Sequence, residues 1–580
     1  MPAGNERRPV SLRPDRHTRD GNPPGTTSHP QSVARDNELL TWSATGVQST
    51  EQIPLNPPGS PSPIRSLEEN EGRSTYFIGP AAEQDSMLLG EFRYDILDEY
   101  QSVDANVVPV YHGSQAANDR PVNFLFLLVE RTAAANRAIQ TAADAIEAMV
   151  HPYGEHLVRL YFRHVHPVLP IIPKGRFLQL YASDRDKLPV CLRGAVYGLA
   201  SVFWDCEDSG IEEPCRFTQD EVLDHAHAAL RREVENPNTL SLTACLLLIH
   251  ATPPFIDTIE EPTTWTLSAQ ATATAQVLGL HQDPSDWSIP PEEKRTRRKL
   301  WWAVYITECW SAVCYGHPPH IGRHSFNTLE PEMEDVQDGD NVPNDVQHLV
   351  DLTSTEFDVA VAARFLQMVK LARSLRMILD LGLGDDLPDK TATEAKLISI
   401  NTELRHWASL APSCLSLYNI GQDAAQSSYN CPVHLSTYTT KVLLYRALMH
   451  PATKEAKSDP DSNLRVWLPS ALAAFAEFTQ FLSQITTHDL NGFWGRHARS
   501  QLITCANFLI YLFLMASERQ DVEKAYRLLE SFVESAQALK ASGTREANIF
   551  LRPAALRLES FFLQAVDIMR SGTKHQVIAE

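Results

Sequence analysis

The chain has 580 residues, 43% hydrophobic and 8% aromatic, which excludes a polypeptide disordered throughout and leaves room for a large core or several domains. Its 51 basic and 72 acidic residues give a net charge of −21, so the bulk of the surface is not a nucleic-acid-binding one and any DNA contact must be local or borrowed. The nine cysteines form no CxxC pair, which excludes a zinc ribbon, a thioredoxin-type pair and a haem-attachment motif; scattered through apolar runs such as LTACLLL, they read as reduced core thiols of an intracellular protein.

Residues 1–73 are rich in Pro, Ser, Asn, Gly and Thr and poor in large apolar residues, and are expected to form a disordered tail. Arg7, Arg8, Arg13, Arg16 and Arg19 cluster loosely within it, as part of a solvated tail or, alternatively, as a nuclear-import signal. No apolar signal-peptide core is evident, and the runs Cys245–Ile249 and Phe508–Met515 fall short of the ~20 residues of a membrane helix, so a soluble chain with no membrane partner is expected. Tyr76–Phe92 reads as an extended piece turning at Gly79-Pro80 and then a short docking segment, within a docking-and-linker region 74–120.

From Val122 the pattern is read as helical, through VNFLFLLVE, AANRAIQTAADAIEAMV and EHLVRLYFRHVHPVLP. His164 and His166 invite a metal reading, but a helix sends residues two apart to divergent faces and further ligands would be needed; the expected role is structural, capping the turn before Pro167. Leu188–Trp204 and Leu240–His250 read as buried helices, and the small residues of Thr264–Leu280 allow close helix approach. With no regular repeat, the fold class is all-α, a large irregular multi-helix bundle over residues 121–570, preceded by the disordered tail and followed by a second tail at 571–580.

The densest signal lies between Gln276 and Phe326. Pro290 and Pro291 suit a first helical turn, and Glu292 and Glu293 place negative charge at its positive end. Leu300, Trp301, Trp302, Val304, Tyr305, Ile306, Cys309, Trp310 and Val313 are apolar on more than one face, the mark of a helix buried inside a bundle, and Gly316 with Pro318 and Pro319 ends it. The basic run Lys294, Arg295, Arg297, Arg298 and Lys299 is expected to pair with acids inside the domain rather than with phosphates. The acidic stretch Glu330–Asp340 reads as a solvated loop, lacking the ligand alternation of a calcium loop. Neither a P-loop, a GxSxG elbow nor an HExxH helix occurs, so the chain is not expected to be an enzyme.

Gly279, His281, Asp283, Pro284, Trp287, Arg297, Arg298, Trp301, Trp302, Gly316, Pro318 and Pro319, taken in register, resemble the core of the fungal-specific transcription factor domain, the middle homology region of zinc-cluster (Zn2Cys6) regulators. The stretch HVHPVLP, with His164, His166 and Pro167, is similar to the opening of that domain, and Cys431–Pro451 and Phe493-Trp494 to its later helices; the resemblance runs with gaps from about residue 150 to 515. Tyr76–Phe92 is similar to a segment of the TamA-like nitrogen-coactivator branch. The resemblance implies a nuclear regulator of RNA polymerase II transcription of metabolic genes, with an inhibitory, effector-sensing or dimerising helical domain. Implied partners are other transcription regulators, a homo- or heterodimeric copy, a small-molecule effector, and DNA either indirectly or through an N-terminal module.

The family's zinc cluster needs six cysteines, and none precedes Cys191, so no cofactor is expected in this chain and the DNA-reading residues have no positions here. A truncated gene model, a co-regulator recruited by a DNA-bound partner and a relative that lost its cluster all fit. The alternatives are an all-α enzyme or small-molecule-binding protein with a pocket near His281, Asp283, Trp287, His317 and His320, or an interaction scaffold.

Overall fold

The computed structural model describes residues 66–68, 73–79, 106–111, 124–130, 133–205, 213–252, 262–382, 390–410, 412–417, 424–540 and 549–564. The expected tails therefore fall mostly outside the described residues, but Ser66–Glu68 and Arg73, assigned to the first tail, have definite places. Leu67 is buried with Val110, Phe126, Trp287 and Ile289.

Three strands open the described chain, β1 (Arg73–Ile78), β2 (Asn106–Tyr111) and β3 (Phe124–Glu130), paired antiparallel in the order β1-β3-β2. Tyr76 faces Leu127 across one ladder and Val107 faces Leu127 across the other. Phe124–Glu130, within the VNFLFLLVE run read above as helix, is thus the central strand. A short apolar run has no periodicity to separate strand from buried helix, and the β-branched and aromatic stretches RSTYFI and NVVPVY supply the partners that decide it. Pro109, which lacks a donor, sits on edge strand β2 beside a register shift.

Helices follow: α1 (Ala133–Val150), α2 (Gly154–Leu160), α3 (Lys174–Ser183), α4 (Val190–Ser201), α5 (Gln219–Glu233), α6 (Thr239–Ile249), α7 (Pro262–Val277), α8 (Pro291–Tyr315) and α9 (Met333–Gln337). The chain continues through α10 (Val359–Gly382), α11 (Lys390–Leu410), α12 (Ala424–Leu448), α13 (Lys454–Ser458), α14 (Asn463–Gln484), α15 (Thr487–Leu490), α16 (His497–Met515), α17 (Arg519–Lys540) and α18 (549–564). A π-helical turn, Tyr161–Val165, extends α2. The helical ends follow local chemistry: Thr218 with Glu221 and Asn238 with Ser241 form capping boxes at α5 and α6, and Gly316, at φ +65°, closes α8 in the left-handed region. The fold is all-α in class, with the small sheet at one side of the first helical half.

Beside the small cluster around Leu67, two large apolar clusters make up the described core. The first gathers α1 to α9 with part of α10 and Phe493, and the second gathers α11 to α18 with another part of α10. Helix α10 belongs to both, contributing Phe365, Val369 and Leu375 to the first and Leu371 and Ile378 to the second. Helix α16, at 19 residues and mean hydropathy 1.3, is long and apolar enough to cross a membrane, more than its Phe508–Met515 run suggested. Here Cys505, Phe508, Leu509 and Leu512 are core residues of the second half. The described cysteines are all free thiols.

Candidate functional site

The signature residues converge on α8. Trp301 and Trp310 are completely buried, and Trp301, Trp302 and Tyr305 surround Phe326 at ring-centroid distances of 5.2, 6.0 and 5.5 Å. The Trp302 Nε1–H donates to the carbonyl of Leu329 at 2.6 Å, fixing the loop that returns along the helix.

At the start of α8, Arg297 is 2% exposed and occupies the centre of a polar knot. Its guanidinium donates to Glu293 at 3.2 Å and to the Leu278 carbonyl at 2.8 Å, and lies 5.6 Å from the ring centres of Phe126 and Trp287. Glu293 accepts from the Leu67 N–H and from the Ser66 hydroxyl, tying the chain before β1 to the helix. Gly279, at φ +72°, would bring a Cβ within 3.0 Å of Phe126 and 3.1 Å of Phe77, so glycine is what lets the sheet dock there. His281 packs edge-on to Phe77 at 5.2 Å, and burial lowers its pKa. Asp283 ties the turn: its N–H donates to Asn327, its carboxylate accepts from the Ser285 and Leu329 N–H groups, and Arg298 is 3.5 Å away. Pro284 is buried, and its carbonyl accepts from the N–H of Trp287.

The basic run is absorbed into the domain. Arg298 reaches Asp335 at 2.8 Å, Arg295 reaches Asp338 at 3.1 Å, Lys294 donates to the Ser285 carbonyl, and Lys299 is buried. The Glu330–Asp340 stretch is accordingly not a solvated loop. It contains α9, and Asp335 and Asp340 are buried because their cationic partners lie far away in sequence.

His164 and His166 diverge. His164 stacks on Phe203 at 4.5 Å, whereas the His166 Nε2 lies 2.7 Å from Asp340, 174 residues away, so the expected capping of the turn before Pro167 is not its role. Lys174 is 3.4 Å from the same carboxylate. Burial opposes charge on Asp340, but His166, Lys174 and Lys299 outweigh it and hold the pKa at about 2.

Beyond α8, Gly316, Pro318 and Pro319 form a loop clamped from beneath. Buried Glu308 accepts from the His320 N–H, and Arg376 donates to the Ile321 carbonyl at 2.6 Å. His317 and His320 gather around Trp265, at 5.2 and 4.1 Å between ring centres. They lie past one end of α8, while His281, Asp283 and Trp287 lie before the other. In space the earlier three pack beside Arg297, Arg298 and Trp301, and the helix from Trp301 to its end at Gly316 still spans about 22 Å at ~1.5 Å per residue, so these residues do not share a pocket. Among the described residues, no group of three or more His, Cys, Asp or Glu has metal-binding geometry.

The two core halves meet along α10, with Met368 and Leu443 packed against both, and buried polar contacts lie in the same seam. Arg364 on α10, 1% exposed, donates to the Pro167 carbonyl and to Asn430 of α12; the Tyr429 hydroxyl donates to the Arg163 carbonyl; Ser311 of α8 hydrogen-bonds His497 of α16 at 3.0 Å. His497 and His250, 5.4 Å apart, have pKa values pushed down to about 3 by burial. Sequence reasoning missed this seam, although a single polar residue inside an apolar run, Arg364 in VAVAARFL, is its signal.

The fungal specific transcription factor domain matches residues 158–442, from α2 into α12. The chain is similar to the transcriptional activator protein DAL81 of Saccharomyces cerevisiae, with 23% identity over 77% of this chain and 48% of that protein. An uncharacterized transcriptional regulatory protein of Schizosaccharomyces pombe is 24% identical over 67% of this chain and 54% of its own length. The acetamidase regulatory protein of Aspergillus fumigatus is 22% identical over 54% of this chain and 43% of its own. The chain thus spans about half the length of these relatives. The matched region contains α8 and its signature residues, and residues 158–442 of this chain form a fungal specific transcription factor domain.

Proposed function

We propose that this chain is a fungal transcription regulator that acts in the nucleus by contact and by changes in packing, without bond-making chemistry. The match over residues 158–442 carries the reading, and relatives named as transcription regulators support it. The division of the core supports the mode of action. The two apolar halves share α10 and the side chains of Met368 and Leu443, and beside these they meet across buried hydrogen bonds; such a partly polar joint can exchange between packings when a ligand or partner favours one of them.

The sequence has no cysteine before Cys191, so a zinc cluster of the family's kind has no ligands in it. In this reading DNA is reached through another regulator or a separate N-terminal module, and the genes controlled are metabolic. The rival pocket at His281, Asp283 and His317 has no geometric support, since α8 holds those residues apart.

Fusion of the full chain to a heterologous DNA-binding module upstream of a reporter tests the proposal. The expected result is activation, or repression that changes with growth conditions. A reporter indifferent to the fusion under every nutrient condition would overturn it.

A further inference from the structure

A cleft against the matched domain's first helix is not part of the signature cluster. It has a volume of about 520 Å³, within the ~300–1,000 Å³ of small-ligand sites, and opens between α2 with its π-turn on one side and residues 350–353 on the other. Single π-turns inside α-helices recur at functional sites.

Its charges are unevenly matched. Arg163, within the π-turn, is answered by Asp351 at 2.5 Å. Arg159, one turn earlier, donates only to the His348 carbonyl at 2.9 Å, and no carboxylate lies within ion-pair distance of it among the described residues. His156 shares the wall; burial lowers its pKa first, then the guanidiniums of Arg159 and Arg163, against the opposing pull of Asp351. The rest of the lining is aliphatic apart from exposed Thr353, with Leu160 and Val350 buried and Leu352, 84% exposed, at the rim.

We propose that this cleft binds a small organic monoanion, a carboxylate on a short aliphatic body, with the carboxylate against Arg159 and the chain along Leu160, Val350 and Leu352. One unanswered guanidinium suits a single negative charge, and Asp351 beside it disfavours a dianion such as phosphate. Asp351 holds Arg163, whose carbonyl accepts from Tyr429 of the second half, so the cleft and the seam share this residue. The proposal rests on the effector-responsive reading above and names the class of effector.

Calorimetric titration of the full chain with hexanoate, with hexanol and inorganic phosphate as comparison probes, tests it. Hexanoate is expected to bind saturably in the millimolar range or tighter. Arg159→Gln is expected to weaken it at least tenfold. Leu352→Glu, at an exposed position that cannot disturb packing, is expected to do the same, and keeps the test alive should Arg159→Gln fail to fold. Hexanol binding as well as hexanoate would reduce the cleft to an apolar groove, phosphate binding as well would make it a dianion site, and either would overturn the proposal. So would no saturable binding, or affinities unchanged in both variants. The titration needs no reporter, so hexanoate binding with a silent reporter refutes the regulatory reading alone, and a responsive reporter without hexanoate binding refutes the cleft alone.

Discussion

Asp340 shows how a single residue carries long-range order. It is buried between His166 and Lys174 and is held ionised, with a pKa at about 2 against an ordinary value of 3.8. Because the folded value lies below the unfolded one, the carboxylate contributes stability that is complete above about pH 4 and is lost as pH falls through about 2. The shift corresponds to roughly 2 kcal/mol. Asp340→Asn is therefore expected to lower the urea-unfolding free energy by about 2 kcal/mol or more at pH 7, since Lys174 and buried Lys299 lose their counter-charge, and by much less near pH 2. An equal loss at both pH values would mean that the carboxylate acts through shape rather than charge. In sequence Asp340 ends an acidic stretch that reads as solvent-exposed. Nothing local distinguishes it, because the groups that bury it come from 174, 166 and 41 residues earlier, numbers that only the fold connects.

At the scale of elements, α8 was legible from end to end. Pro291 at its first position, Glu292 and Glu293 in its first turn, tryptophans on more than one face and Gly316 at its end are each local signals, and each has its expected place. Of the sheet only the extended piece before Gly79 was legible, now part of β1; the rest was not, because Phe124–Glu130 is apolar without a period and its partners are separated from it by stretches of other character. Gly279 is the hinge between these two elements. Gly279→Ala places a methyl group at 3.0–3.2 Å from Phe126 and Phe77 and forces a left-handed alanine, a combined cost of about 1–3 kcal/mol concentrated where the sheet meets α8. The expected outcome is faster proteolysis within residues 73–130 with helical circular dichroism unchanged. An unchanged proteolytic pattern would show that the sheet does not depend on this approach.

For the whole molecule, the domain is two apolar halves joined by α10 and by hydrogen bonds, with α8 running through the first half and reaching the second at Ser311 and His497. A buried hydrogen-bonded joint specifies one arrangement, yet an apolar surface of the same size would hold it more firmly. That contrast is the physical basis for assigning regulation to the seam and stability to α8. The most direct measurement is amide hydrogen exchange on the full chain under native conditions. The account predicts that residues 300–312 of α8 exchange only with global unfolding, whereas 428–437 of α12 and the first turns of α16 exchange earlier through a lower-energy opening of the seam. Exchange of α8 as fast as that of the seam, or with both opening only on global unfolding, would contradict it.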